Sequence, residues 1–519
     1  MGRIFFNEDP NHFVFSRKRA GYDRITMDDA RNFILQYKDT QITDFFVCLG
    51  ASGPWYDSEK TGNIMDTYRR WVAEGKTDEN ETNIVVSSVA LVEKFDRDYG
   101  TSLQAVWIDT LREIGIRPWV SIRMNDIHEA GAAESILHSD FFRQNRHKNR
   151  ASHREPAGYY EYALDYMFEE VRAHYLTVIE EALARFDVYG IELDFMREIF
   201  SLGIGREYEG TFVINDFMRS VYALAQDAEK RWGHRVRIAV RLPDTPEKAL
   251  RFGFDFFDWT ENGLVDVITV TPRWASTDNH MPIDLWKKIL KGKNVTLAAG
   301  QEILISAYRR RGFPPKYNTY ETAVATACAH HFQGADAIYL FNYMDGLPEA
   351  HTHADDLMFC ANRKLYGKFL RTAGDYGLAM ASHRRHVVTY SDISAVGVTA
   401  RRQLPVRLSG EKDRPTEFSA LRIATGGVLP SQKIRIVLGF VGEDGYQKED
   451  LRVFLNAKPC RFIEECAPCA PQYPDLRYFS FEAENSGDLA PVAIMEIGLC
   501  EGTTELHWAE IEISEKEST

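Results

Sequence analysis

Apolar positions along the chain fall into two alternating patterns. Short, nearly continuous runs rich in β-branched and aromatic residues recur at 3–6 (RIFF), 44–49 (DFFVCL), 117–123 (RPWVSIR) and 188–195 (VYGIELDF). Four more follow at 236–242 (VRIAVRL), 265–271 (VDVITVT), 294–299 (NVTLAA) and 336–343 (DAIYLFNY). Runs of this kind suit parallel strands covered on both faces. Between them the period is helical. MDDARNFILQYK opens with acids in its first turn, and SLQAVWIDTLREIG has Ser102 at its start and Gly115 at its end, a cap pattern. FEEVRAHYLTVIEEALARF sets Val171, Tyr175, Val178 and Ile179 on one face, and TYETAVATACAHHF precedes the last run. The long link between the second and third runs has room for extra helices. Eight alternations predict an α/β fold, a (β/α)8 TIM barrel over residues 1–375.

Beyond residue 375 helical periodicity nearly vanishes. HVVTYSDISAVGVTARRQLPVRL, KIRIVLGFV, DLRVFLNA and PVAIMEIGLC are short strand patterns punctuated by Gly, Pro and Asp. They predict a C-terminal antiparallel β-sandwich over 376–519, ending in a polar, frayed ISEKEST tail.

The fourth run breaks its own pattern. In YGIELDFMRE, Glu192 and Asp194 interrupt apolar residues. Residues two apart in a strand share a face, so both carboxylates point one way while Ile191, Leu193 and Phe195 point the other. In a barrel the first face is the interior, which opens at the strands' C-terminal ends onto the site mouth. A plain structural account is an ion pair with Arg197 or Arg123. The neighbouring strand ends argue for more. The third supplies Arg123, Asn125, Asp126, His128 and Glu129; the fifth Arg241 and Asp244; the sixth Arg273 and Trp274. The seventh supplies Gln301 and Glu302, the eighth Asn342, Tyr343 and Asp345, and the second runs on to Trp55 and Tyr56.

Carboxyls, amides, arginines and rings together suit glycoside hydrolysis. Two carboxyls flank the scissile bond, polar groups bind hydroxyls and rings stack on the sugar. A metal hydrolase would place an H-x-H pair on its first strand, which here ends FFNED. No phosphate-binding glycine loop follows the seventh or eighth strand. Cys460, Cys466, Cys469 and Cys500 cluster, but their spacing lacks a paired CxxC, so no metal and no cofactor is expected. A net charge of -14 disfavours nucleic acid and anionic membrane surfaces as partners. No run reaches the length of a membrane helix, no leader pattern opens the chain, and Phe6 breaks a myristoylation motif, so a cytoplasmic protein is expected. Homo-oligomer formation stays open.

YGIELDFMR, with RPWVSIRMNDIHE and ALDYMFEEVRAHYLTVIEEALARFDV before it, resembles the hypothetical family 10-like glycosyl hydrolases, bacterial barrel proteins. The resemblance spans 3–375 and implies a glycosidase-like fold and a carbohydrate substrate. The strand is also similar to the DGIDIDWE strand of chitinase-like barrels, but Met196 stands where their catalytic Glu would be. The expected function is therefore a glycoside hydrolase acting on short oligosaccharides, with Asp194 and Glu302 as catalytic carboxyls. Glu192, Arg123, Asn125, Asp126, His128, Arg197, Arg273, Trp274, Asn342 and Trp55 are expected to bind substrate. Asp126, Asp244 and Asp345 stand in reserve, and the arginines leave an acidic sugar open. Arginines near Asp194 favour its ionised form, as nucleophile or base, while the charge-poor sequence around Glu302 suggests the acid. The alternatives are a sugar-binding protein on an inactive barrel, which Met196 favours, and a transglycosidase or lyase in the same cleft.

Overall fold

The structure is a computed structural model. It describes residues 2–516 apart from 51, 79–80, 274–276, 309–312, 345–358, 391–392, 399–401, 412, 442–447 and 485–491. Eight parallel strands close into a barrel: β1 (Ile4–Glu8), β2 (Ile42–Cys48), β3 (Arg117–Arg123), β4 (Gly190–Asp194), β5 (Arg237–Pro243), β6 (Val267–Thr271), β7 (Thr296–Glu302) and β8 (Ala337–Phe341). Each strand pairs with the next and β1 closes on β8. Helices cover the outside, their starts fixed by side chains that accept from otherwise unpaired backbone N–H groups. Thr26 and Asp29 form a capping box for Met27–Leu35, and Ser102 caps Leu103–Glu113. The β2–β3 link holds two further helices, Ile64–Ala73 and Ile84–Tyr99.

Alternation along the strands sorts the core. Ile191 and Leu193 belong to the large shell between strands and helices, with Val171, Tyr175 and Ile179 of Glu169–Arg185. Phe5, Phe46, Trp119, Ala239, Val267, Ala298 and Tyr339 form a separate cluster inside the barrel. Counting up by two from these positions leads to Ser121, Arg241 and Glu302, and on β4, where Gly190 pairs with Trp119, the same parity gives Glu192 and Asp194. The lower interior is thus apolar and the upper interior polar.

The C-terminal region is antiparallel and sandwich-like. One sheet is built around the long strand Gly502–Glu515, flanked by Val406–Glu411 and Gln432–Val441 and joined by Arg384–Val387; Leu476–Ala483 and Arg461–Cys466 extend it. The other sheet pairs Val492–Leu499 with Ser419–Ala424 and Leu451–Leu455. The expected frayed tail is corrected over 513–515, where Ile513, Ser514 and Glu515 are in register with Ile434, Lys433 and Gln432, while 517–519 lie outside the described residues. A register with Ile513 buried gives these residues both backbone partners and a core contact.

Candidate active site at the barrel mouth

Strand register sets the site. Arg123, Asp194 and Arg241 sit side by side on β3, β4 and β5, and Glu302 lies beside Phe341. Arg241 is fully buried and lies over Phe341, its guanidinium carbon 3.7 Å from the ring centre. One Nη donates to Asp194 Oδ2 at 3.2 Å, and the other stands 3.7 Å from Glu302 Oε1. A single guanidinium thus joins the two carboxyls and keeps their facing oxygens under about 10 Å apart, an upper bound close to the widest span of paired glycosidase carboxyls. The other Asp194 oxygen accepts from Met196 N at 2.9 Å, and the other Glu302 oxygen from Asn342 Nδ2 at 3.2 Å.

Glu192 lies one layer deeper. Its Oε1 accepts from Ser121 at 2.7 Å and from Tyr339 at 2.8 Å. Complete burial, and then the neighbouring Asp194 charge, push its carboxyl up to about 7. Of Glu192 and Asp194, the deeper one is therefore the carboxyl raised toward neutral pH. Glu302, expected in charge-poor surroundings, instead meets Arg241. The cation comes from β5, two strands away around the barrel, where no reading of the flanking sequence reaches it.

A second cluster forms beside the first. Arg123 donates to Asp9 at 2.5 Å and Asp126 at 2.9 Å, not to Asp194 as the alternative pairing had it. Asp126 accepts from His128 Nδ1 at 2.6 Å, while Arg197 Nη2 lies 2.8 Å from His128 Nε2. An arginine can only donate, so Nε2 accepts and Nδ1 carries the proton. Burial works to raise the Asp126 carboxyl, but His128 and Arg123 outweigh it and hold it far below the usual range. Arg273 grips Glu198 with two bonds, of 2.9 and 3.1 Å, beside Tyr159 and Tyr160. Phe341 lies under Arg241 and within 6.0 Å of Arg197, so it links the two clusters.

The mouth thus brings together Glu192, Asp194, Glu302, Arg123, Asp126, His128, Arg197, Arg273 and Asn342. It does not bring in Asn125 or Trp55. The Asn125 side chain is committed to the backbone of Leu164 and Phe200, clamping two loops. Trp55 is fully buried in the outer shell, edge-on to Phe15. Trp274 and Asp345 lie outside the described residues. Asp244 pairs with Lys248 at 2.8 Å. Asp9 and Glu198 are not among the expected site residues, and Arg241 is expected only as one polar strand end, not as the bridge between the carboxyls. Arg241 was findable, because it shares parity and level with Asp194 once the two strands are aligned.

Among the described residues no group of three His, Cys, Asp or Glu side chains is placed to hold a metal ion, and no helix is long and apolar enough to cross a membrane. No family model and no curated protein matches the chain. Solved structures do align with it, glycoside hydrolases among them. The PgaB (BpsB) glycoside hydrolase domain from Bordetella bronchiseptica aligns at 10% identity over 72% of this chain and 99% of its own, TM-score 0.41. A GH138 enzyme targeting pectin rhamnogalacturonan II aligns at 10% identity over 73% of this chain and 40% of its own, TM-score 0.39. Alpha-L-fucosidase isoenzyme 2 from Paenibacillus thiaminolyticus aligns at 10% identity over 71% and 48%, TM-score 0.38. The chain thus spans less than half the length of the last two. At such scores the likeness carries no argument about chemistry, which is left to the site's own geometry.

Proposed function

We infer that the chain is a glycoside hydrolase acting on short oligosaccharides or glycosides at the barrel mouth. The observation that carries this reading is the Asp194–Arg241–Glu302 bridge. It joins two carboxylates, from β4 and β7, through one guanidinium, which keeps their facing oxygens from exceeding the widest separation used across a glycosidic bond. Negative charge fixed in a buried setting stabilises the positive charge that develops on the sugar carbon as the bond breaks. Asp194, the member with the closer guanidinium contact, faces that carbon as nucleophile or as charge stabiliser. Arg197, Arg273 and Asn342 supply donors for hydroxyls or for a sugar carboxylate, and Tyr159 and Tyr160 supply rings.

A second reading is a carbohydrate-binding protein on an inactive barrel. It is favoured by the near-complete burial of Asp194 and Glu302, and by Met196 in place of an acid. A panel of aryl glycosides, covering neutral and uronic sugars, separates the two. The hydrolase reading expects turnover that Asp194→Asn and Glu302→Gln each lower by two orders of magnitude or more. Binding of a disaccharide by calorimetry, with no turnover on any member, establishes the second reading instead.

A further inference from the structure

The bridge that supports hydrolysis leaves one role unfilled. Among the described residues, the mouth carboxylates Asp9 and Asp126 face Arg123, Asp194 and Glu302 face Arg241, and Glu198 faces Arg273. Each would have to break an ion pair to accept a proton, so none is set to lend one to a leaving group. Glu192 can hold a proton but lies below this layer, bonded to Ser121 and Tyr339.

One titratable side chain at the mouth has a different setting. His128 has 37% of its side chain exposed, whereas Asp126 behind it has none. Its Nδ1–H is fixed on the Asp126 carboxylate, which is fixed in turn by Arg123 and by the His128 backbone N–H. That orients the ring and leaves Nε2 directed toward Arg197 in the mouth.

We propose that the Asp126–His128 dyad is the proton-transfer group of this site, with His128 Nε2 as general acid and then base, and Asp126 as its positioning residue. The proposal rests on the hydrolase reading and deepens it. Arg197 gives way as Nε2 takes a proton. As the sugar C1–O bond breaks, its electron pair stays on the leaving oxygen and the Nε2 proton passes to that oxygen, giving the free alcohol and neutral imidazole. The Asp194 carboxylate faces the positive C1. Water then adds hydroxyl to C1 and returns its other proton to Nε2, which restores the imidazolium.

The test is a leaving-group series on one sugar, from 2,4-dinitrophenyl to 4-methoxyphenyl glycosides. His128→Ala should lose roughly 100-fold or more in kcat/KM on the poor leaving group and far less on the good one. The limb of the pH profile that reports the acid should disappear in His128→Ala. In Asp126→Asn it should move to lower pH, because the imidazolium loses its carboxylate. The groups that set this limb are Asp126 and Arg197 at the ring, Arg123 behind Asp126, and Glu198 and Tyr159 across the mouth. His128→Gln serves if the alanine variant fails to fold. An equal loss across the series, or no loss, overturns the proposal while Asp194→Asn still tests the hydrolase reading. A parent inactive on every sugar of the panel overturns both.

Discussion

The two carboxylates joined by Arg241 are held in place by different parts of the molecule. Asp194 is a barrel residue in every respect. Its carbonyl accepts from Met124 N at 3.1 Å, its side chain from Met196 N, and Glu192 beneath it is tied to β3 and β8. Glu302 sits where the chain leaves the barrel. Its carbonyl accepts from Thr277 at 2.6 Å and Asn318 at 2.8 Å, and within six residues the chain enters the core of the C-terminal region. Ile305, Ala307 and Tyr308 pack there with Leu506 and Trp508. Tyr308 bonds to His507, while Phe313 stacks on His507 at 5.3 Å and meets Tyr473 edge-on at 4.9 Å. The same barrel level is thus set on one side within the barrel and on the other by strand register with a second core added. The sandwich buttresses the β7 end of the site.

The largest effect is expected where the two halves meet. Arg241→Met leaves Asp194 and Glu302 buried without their shared cation. Removing one member of a buried ionic cluster costs about 3–5 kcal/mol, because the stranded charges have no water to turn to. Urea unfolding at neutral pH measures it. A loss under about 1 kcal/mol would mean that the bridge is not what holds the two sides together.

Tyr308→Ala tests the asymmetry itself. Deleting a buried aromatic ring costs about 3 kcal/mol. Hydrogen exchange should quicken over 296–308 and stay unchanged over 190–196. Phe481→Ala removes a ring of the same core away from this loop and should destabilise comparably without loosening 296–308. Equal exchange in the two variants would reduce the buttress to mere proximity.

Glu192 sharpens the Asp194 side. Its carboxyl is held at about 7 in the folded chain, against an ordinary 4.5. The folded state therefore binds the extra proton between these values, so stability should fall as pH rises from 4.5 to 7, by at most about 1.4 kcal/mol per unit. Glu192→Gln, read by urea unfolding across pH 4.5–8, should flatten that slope. Asp194→Asn removes the charge that helps push Glu192 up, and should shift the sloping window toward lower pH. A parent without the slope would show Glu192 to be ionised.

Much of this was legible in residue patterns, and what was missed has a common cause. The run 117–123 coincides with β3, and the other seven overlap their strands, because continuous apolar runs mark strands buried on both faces. Parity alone placed Glu192 and Asp194 inside. Contacts across the barrel were not legible: Arg241 with Glu302, or Arg123 with Asp9, depends on closure and on strands distant in sequence. Trp55 was misplaced because an aromatic ring after a strand suits a sugar platform and a helix-packed core equally well. In the sandwich, Gly502–Glu515 was hidden because Thr, Glu, His and Ser interrupt its apolar residues, so no continuous apolar signal marks it although 506–511 are buried on both faces.

The smallest expected effect concerns Asn342, and it separates two ways in which the end of β8 can place Glu302. Asn342 adopts a φ of 61°, a left-handed conformation that asparagine and glycine tolerate better than other residues, and its side chain donates to Glu302. Asn342→Gly keeps the backbone permissive and loses only the hydrogen bond. Asn342→Ala loses the bond and also places a Cβ in the strained region, so it should be less stable than the glycine variant by about 1 kcal/mol. If the bond to Glu302 matters beyond the backbone shape, both variants should reduce turnover alike despite that difference. A glycine variant with parental turnover would instead assign the β8 end a purely conformational part, leaving Arg241 and the sandwich-anchored loop to hold the Glu302 side.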